Sequence, residues 1–185
     1  MFAFLYRLFP ALEWLVMDFK ICNPDHDRFY KYNYYCKCIP NNSYKHLCKY
    51  LNSLTNLKQL AWRGEIKIDE NKAVLLAPTL ARLERLYAFA DSTKAAFILS
   101  AHLNANLCTH LALYTECFDF LGQIHLRKSK VIEFNEQILD QLTHLELGAV
   151  KTSWNPSVDS TLGLLCRNAF ALQSLRVTFV DYVSC

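Results

Sequence analysis

The stretch EFNEQILDQLTHLELG, residues 133–148, changes its hydrophobic period half-way along. Phe134, Ile138, Leu139 and Leu142 recur at helical spacing, a stripe that faces a core. Leu142, Leu145 and Leu147 then follow the pattern LxxLxL, and Leu145-Glu146-Leu147 alternates as a half-buried strand does. The unit reads as helix, tight turn and short strand. Neither piece can bury its apolar face alone, so such a unit requires copies of itself as neighbours.

Copies occur. The same three apolar positions are filled by Leu12, Leu15 and Met17; by Leu57, Leu60 and Trp62; by Leu83, Leu86 and Ala88; by Cys108, Leu111 and Leu113; and, after the unit at 142–147, by Leu172, Leu175 and Val177. Successive first positions are 45, 26, 25, 34 and 30 residues apart. The two shortest spacings fall within the roughly 20–29 residues of a leucine-rich repeat, and the others require insertions of the kind repeat proteins carry in loops. Between the strands, apolar spacing predicts helices over residues 44–54, 71–81, 93–107 and 160–170. Pro78 kinks or ends the second, and Ser92 or Thr93 caps the third. Residues 1–9 predict a helix or turn leading into the first strand.

On these residues the chain resembles the leucine-rich repeat region of F-box proteins, with long irregular units, over residues 9–179. That consensus places Asn or Cys three residues after the third apolar position. Here those places hold Lys20, Glu65, Asp91, Glu116, Val150 and Val180, so there is no Asn ladder, and the F-box itself is absent. The resemblance implies an α/β leucine-rich repeat solenoid, with about six parallel strands on the concave face and helices on the convex face. It also implies a non-enzymatic recognition module that recruits a protein substrate to an SCF-type ubiquitin ligase. The Skp adaptor and cullin ligase would engage the missing F-box. A single domain over residues 1–185, incomplete at both ends, is expected, because Met1 begins almost inside a unit and no polar capping unit is visible at either end.

Composition narrows the classes. The chain is 52% hydrophobic and 20% charged, which excludes wholesale disorder, and its four Gly and five Pro are too few for a turn-rich β-sandwich. A net charge of +3 gives no nucleic-acid footprint without a clustered basic face. The one dense basic run, Arg127-Lys128-Ser129-Lys130, reads as a solvated loop. No stretch of about 18 uninterrupted apolar residues exists to span a membrane. Eight cysteines invite a disulfide reading, but Cys48 and Cys166 lie in apolar helical patterns and Cys108 replaces a core Leu. Buried reduced thiols, and with them a cytoplasmic or nuclear location, are expected.

Residues 21–43 form an inserted loop that holds Phe29, Tyr30, Tyr32, Tyr34 and Tyr35 with Lys and Arg between. Such interleaving can bind single-stranded nucleic acid by stacking, and it equally describes rings packed on the domain; the second reading is preferred. Cys36-Lys37-Cys38 lacks the spacing of common zinc sites, although His26 and His46 are nearby. His110 and His144 occupy equivalent places in neighbouring strands, where a pair could share a metal, but exposed face residues explain them as well. No catalytic or cofactor motif appears, and no cofactor is expected.

What remains is a surface. Residues between the inward positions project from the open side of the strands. Arg63, Arg85, Tyr87, Phe89, His110 and Tyr114 fall there on three successive strands, followed by His144 and Glu146. Tyr, Phe and Arg are enriched among interface anchors, so these eight residues are the expected protein-binding site, centred on Tyr87 between Ala61 and Ala112. A general scaffold role is the other binding-module reading.

Overall fold

The computed structural model describes residues 11–19, 41–64, 66–118, 124–125, 131–132, 135–151 and 169–180. The strands are β1 (Trp14–Phe19), β2 (Gln59–Gly64), β3 (Arg85–Phe89), β4 (His110–Phe118), β5 (Ile124–His125), β6 (Val131–Ile132), β7 (His144–Lys151) and β8 (Ser174–Val180). Six of them form one parallel sheet in the order β1-β2-β3-β4-β7-β8, and β5 pairs with β6 antiparallel. The fold is therefore α/β, and the strands of the main sheet lie side by side in the order of the sequence. The helices are α1 (Asn41–Ser53), α2 (Glu70–Leu75), α3 (Ala77–Leu80) and α4 (Thr93–His102).

The apolar pattern sets the register. Leu15, Leu60, Leu86, Leu111, Leu145 and Leu175 are direct partners across the six strands, and so are Met17, Trp62, Ala88, Leu113, Leu147 and Val177. Both rows point to the helix side, where all of their members but the exposed Leu175 meet Leu47, Leu51, Phe97 and Leu99 in one core. The first position of the four inner units turns into that core too, where Leu57, Leu83, Cys108 and Leu142 are fully buried, while Leu12 and Leu172 in the outer two are partly buried against it. Trp62 is the largest side chain in it. It fits because its register partner on β3 is only Ala88, and its indole N–H donates to the Ile66 carbonyl at 2.7 Å.

Main-chain hydrogen bonds reinforce this alignment at the start of each strand. The Glu13 carbonyl accepts from the N–H groups of both Lys58 and Gln59, at 2.9 Å each. The Lys58 carbonyl accepts from Glu84 and Arg85, at 2.8 and 3.1 Å. The Glu84 carbonyl accepts from Thr109 and His110, the Thr109 carbonyl from Thr143 and His144, and the Thr143 carbonyl from Gln173 and Ser174. One acceptor per unit thus holds two donors of the next.

The helices follow the predicted spacing with identifiable departures. The helix expected over 71–81 is two helices broken at Leu76, because Pro78 supplies no N–H to continue the first and sits in the first turn of the second. Ser92 caps α4 by accepting from the Ala95 N–H at 3.2 Å. That helix ends at His102 rather than 107, where Leu103 is extended. In the described part of the unit at 133–148, which leaves out Phe134, the expected helix is a 3-10 turn over Glu136–Ile138, although Ile138, Leu139 and Leu142 are buried as expected. Residues 41–43 belong to α1, which shortens the insertion expected over 21–43. The lead-in 1–9, the aromatic and Cys-containing part of the insertion at 21–40, the basic run at 127–130 and positions 160–168 of the last expected helix lie outside the described residues. So do Cys22, Cys36, Cys38, Cys166 and Cys185.

Cys48 and Cys108 are free, buried thiols. Burial pushes them up to about 11 and about 12 respectively, so both are protonated, inert core groups at neutral pH. Among the described residues no helix is long and apolar enough to cross a membrane.

Arg82 ties consecutive units together. Its guanidinium donates to the carbonyls of Leu51 at 2.7 Å and Leu54 at 3.1 Å, which are acceptors at the end of α1, and to Pro78 at 2.6 Å. A cation at a helix C-terminus is also favoured by the helix dipole. Replacing Arg82 by Met should cost about 2–3 kcal/mol, the net worth of hydrogen bonds from a charged group to these carbonyls. Arg82→Lys should recover only part of this, because an ammonium lacks the planar fork. Denaturant unfolding of both variants checks the order; an unchanged Arg82→Met midpoint would refute the clamp.

Candidate functional site

The open face of the sheet is built in rows, because parallel strands in register place equivalent residues side by side. The first row reads Trp14, Gln59, Arg85, His110, His144 and Ser174. The second reads Val16, Ala61, Tyr87, Ala112, Glu146 and Arg176. The third contains Asp18 beside Arg63, then Phe89, Tyr114 and Gly148. The alternation read from the sequence therefore assigns sides correctly, with no slip in the register of the rows.

A groove of about 330 Å³ runs over the first two rows. Of the eight expected site residues, Arg63, Arg85, Tyr87, His110, His144 and Glu146 line it. Phe89 and Tyr114 do not. They form a slab along its side: their rings stack at 4.8 Å, and the Tyr87 ring packs at 4.9 Å from Tyr114 and 5.8 Å from Phe89. The Arg63 guanidinium lies over the Tyr87 ring, 4.8 Å from its centroid, a cation–π contact. Ala61 and Ala112 flank Tyr87 and leave the floor low on either side, as their register implies.

Gly148 makes room for this slab. A Cβ there would lie 2.2 Å from the Tyr114 ring. Partial burial first, and then hydrogen bonds with Glu146 and Tyr87, hold the Tyr114 phenol well above its ordinary range, so its O–H remains a donor throughout physiological pH. Glu146 in turn bridges to Arg176 at 3.0 Å.

The two histidines are stacked, with ring centroids 4.1 Å apart and planes 9° from parallel. The preceding threonines orient them. The Thr143 hydroxyl donates to the Thr109 carbonyl at 3.1 Å, so it accepts from His144 Nδ1 at 2.9 Å. Thr109 does the same between the Glu84 carbonyl, at 3.4 Å, and His110 Nδ1, at 2.9 Å. With each hydroxyl donating to its carbonyl, the Nδ1 that faces it carries the proton. Their planes are nearly parallel, so in this arrangement the Nε2 lone pairs do not converge on one point. Among the described residues no three His, Cys, Asp or Glu side chains gather at ligand spacing.

The expected site omits Trp14, Gln59, Ala61, Ala112 and Ser174, which also line the groove. All five stand in the first two rows of the open face. Trp14, 62% exposed on the edge strand, is the largest omission; a site centred on the middle strands left it aside.

No protein-family model and no curated protein matches the chain. Among solved structures it is similar to one described as Leiomodin-1 Actin-Binding Site 2 (ABS2), with 17% sequence identity and a TM-score of 0.41. The match covers 72% of this chain and 76% of that one. A likeness at this level bears on neither site nor partner.

Two outcomes are expected here. Gly148→Val should drive the Tyr114 ring off β7 and change the near-ultraviolet circular dichroism while leaving the far-ultraviolet spectrum unaltered; identical near-ultraviolet spectra would mean that the slab does not depend on Gly148. His110 is held below the ordinary imidazole value of 6.5, by partial burial first and then by Arg85 and His144. The folded protein therefore binds fewer protons at His110 than the unfolded chain, and stability rises with pH in that window. It should fall once the pH drops below about 6.5 and keep falling until the pH passes the depressed folded value. Thermal unfolding between pH 7.5 and 5 checks this: His110→Gln should lose less stability than the parent over that range, and an equal loss would refute it.

Proposed function

We propose that this chain is a leucine-rich repeat module that captures a protein partner on the open, concave side of its sheet and carries out no catalysis itself. Six LxxLxL units whose strands stack in sequence order support the repeat reading. The observation that carries the binding reading is the Arg63–Tyr87–Ala112 neighbourhood. A large ring stands between two alanines, with a guanidinium over it, on a face that the helices leave open. Anchors of this composition, set in a hollow and not on a flat surface, are the common form of an interface hot spot.

The resemblance to F-box repeat proteins extends this reading to substrate recruitment for a ubiquitin ligase in the cytoplasm or nucleus. The Skp adaptor and cullin ligase would then be engaged through an F-box outside these residues. The single-stranded nucleic-acid reading depends on Phe29–Tyr35, which lies outside the described residues, and a general scaffold role would use the same open face.

A photo-crosslinking amino acid at Ala112, compared with one at the exposed Val74 of α2, tests the binding face directly. Partner adducts should form from position 112 and not from position 74. Tyr87→Ala should weaken partner binding by on the order of 2 kcal/mol while cooperative unfolding is retained. Adducts at both positions that are indifferent to Tyr87→Ala would reject this face as the site.

A further inference from the structure

The first row of the open face contains no carboxylate. Arg85 stands in it between Gln59 and His110, with His144 next along. Among the described residues no carboxylate oxygen lies within 4 Å of the Arg85 guanidinium, although Glu84 precedes it in the chain. Arg63 is similarly unsatisfied. Asp18 is its register partner on β1, yet the two form no ion pair, and Arg63 rests on the Tyr87 ring instead. Glu146, the carboxylate of the second row, is already engaged by Arg176 at 3.0 Å. The groove thus offers two guanidiniums without an anion, while its acidic group is occupied.

The shape of the groove restricts what can meet them. The row crosses six strands at spacings of about 4.8 Å, so it is roughly 24 Å long from Trp14 to Ser174. An extended peptide advances about 3.3 Å per residue, so about seven residues fill that length. The groove of about 330 Å³ is a hollow along this row, so a segment lying across the strands sits partly in it and partly above it. Trp14 at the β1 end, 62% exposed, offers a ring for an apolar residue there.

From this charge complementarity we infer that the groove receives an extended acidic peptide segment of about seven residues, with Asp or Glu side chains seated on Arg85 and Arg63. The inference rests on the open face being the binding face, and it adds the chemical class of the partner. Guanidinium–carboxylate pairs are short and can be bidentate, so Arg serves here in a way that Lys would not.

The test selects random heptapeptides, displayed between constant flanks so that no free terminus is offered, against the full chain. Asp and Glu should be enriched several-fold among the selected sequences. The best peptide, synthesised alone, should lose at least about tenfold in affinity to Arg85→Gln, whose exposed side chain leaves thermal unfolding unchanged. Selection against Arg85→Glu should shift the enrichment to Lys and Arg. Neutral peptides that still depend on Tyr87 would overturn the acidic assignment and leave the open face standing as the binding face. A selection that yields no peptide would overturn the assignment as well, while crosslinking from position 112 reads the face independently. Binding of a single-stranded oligothymidylate with no acidic peptide selected would overturn it in favour of nucleic acid.

Discussion

The carbonyls of Glu13, Lys58, Glu84, Thr109 and Thr143 each hold two N–H donors of the next strand, and the open face depends on this ladder more than on any side chain. Register in a sheet is unforgiving, since a slip of one residue exchanges the core side for the solvent side. Two donors on one acceptor fix where each strand begins. From there the alternation is forced, with Leu inward, the first-row residue outward, and so on along the strand. The ladder uses only main-chain atoms, so the residues that form it carry no common side chain. Insertions of different length can separate the strands without disturbing it, because each carbonyl refers only to its immediate neighbour.

Side chains then adjust the packing between rungs. Trp62 occupies a place where other units have Leu, Met or Val, and Ala88 beside it compensates in volume. Arg82 links the end of α1 to the turn before β3 through the Leu51 and Leu54 carbonyls, each of which also accepts one main-chain N–H. The edges are less well served. Leu175 holds the same register position as the buried Leu145, yet is 46% exposed on the last strand.

The strands were legible because their pattern repeats six times, and each copy supports the others. Burial of Leu57, Leu83, Cys108 and Leu142 was readable for the same reason, including the exchange of Leu for Cys. Helix ends were less so. The break at Leu76 needed the position of Pro78 relative to a turn, and the 3-10 turn at Glu136–Ile138 keeps the apolar spacing of a helix while making far fewer of its hydrogen bonds. The site was legible as a list of outward residues but not as a shape. Alternation cannot say that Phe89 and Tyr114 lean on Tyr87 instead of lining the groove, that two histidines stack, or that Glu146 is already occupied. These depend on side-chain directions that neighbouring strands settle jointly.

Gly148 has a consequence for the outline of the open face. Because β7 presents no side chain at this place, the Tyr114 ring leans across it and continues the line begun by Phe89 and Tyr87. Phe89 and Tyr114 of the third row, with Tyr87 beside them, thereby form a ridge, while Ala61 and Ala112 leave the second row low on either side of Tyr87. The face is a trough with one wall, open along the side where the strands begin. A segment that settles in it has aromatic carbon along one side. The rings of that wall are half-buried, so aromatic carbon replaces part of the solvent there, and charges in the trough act across a less polar medium than they would on a flat sheet.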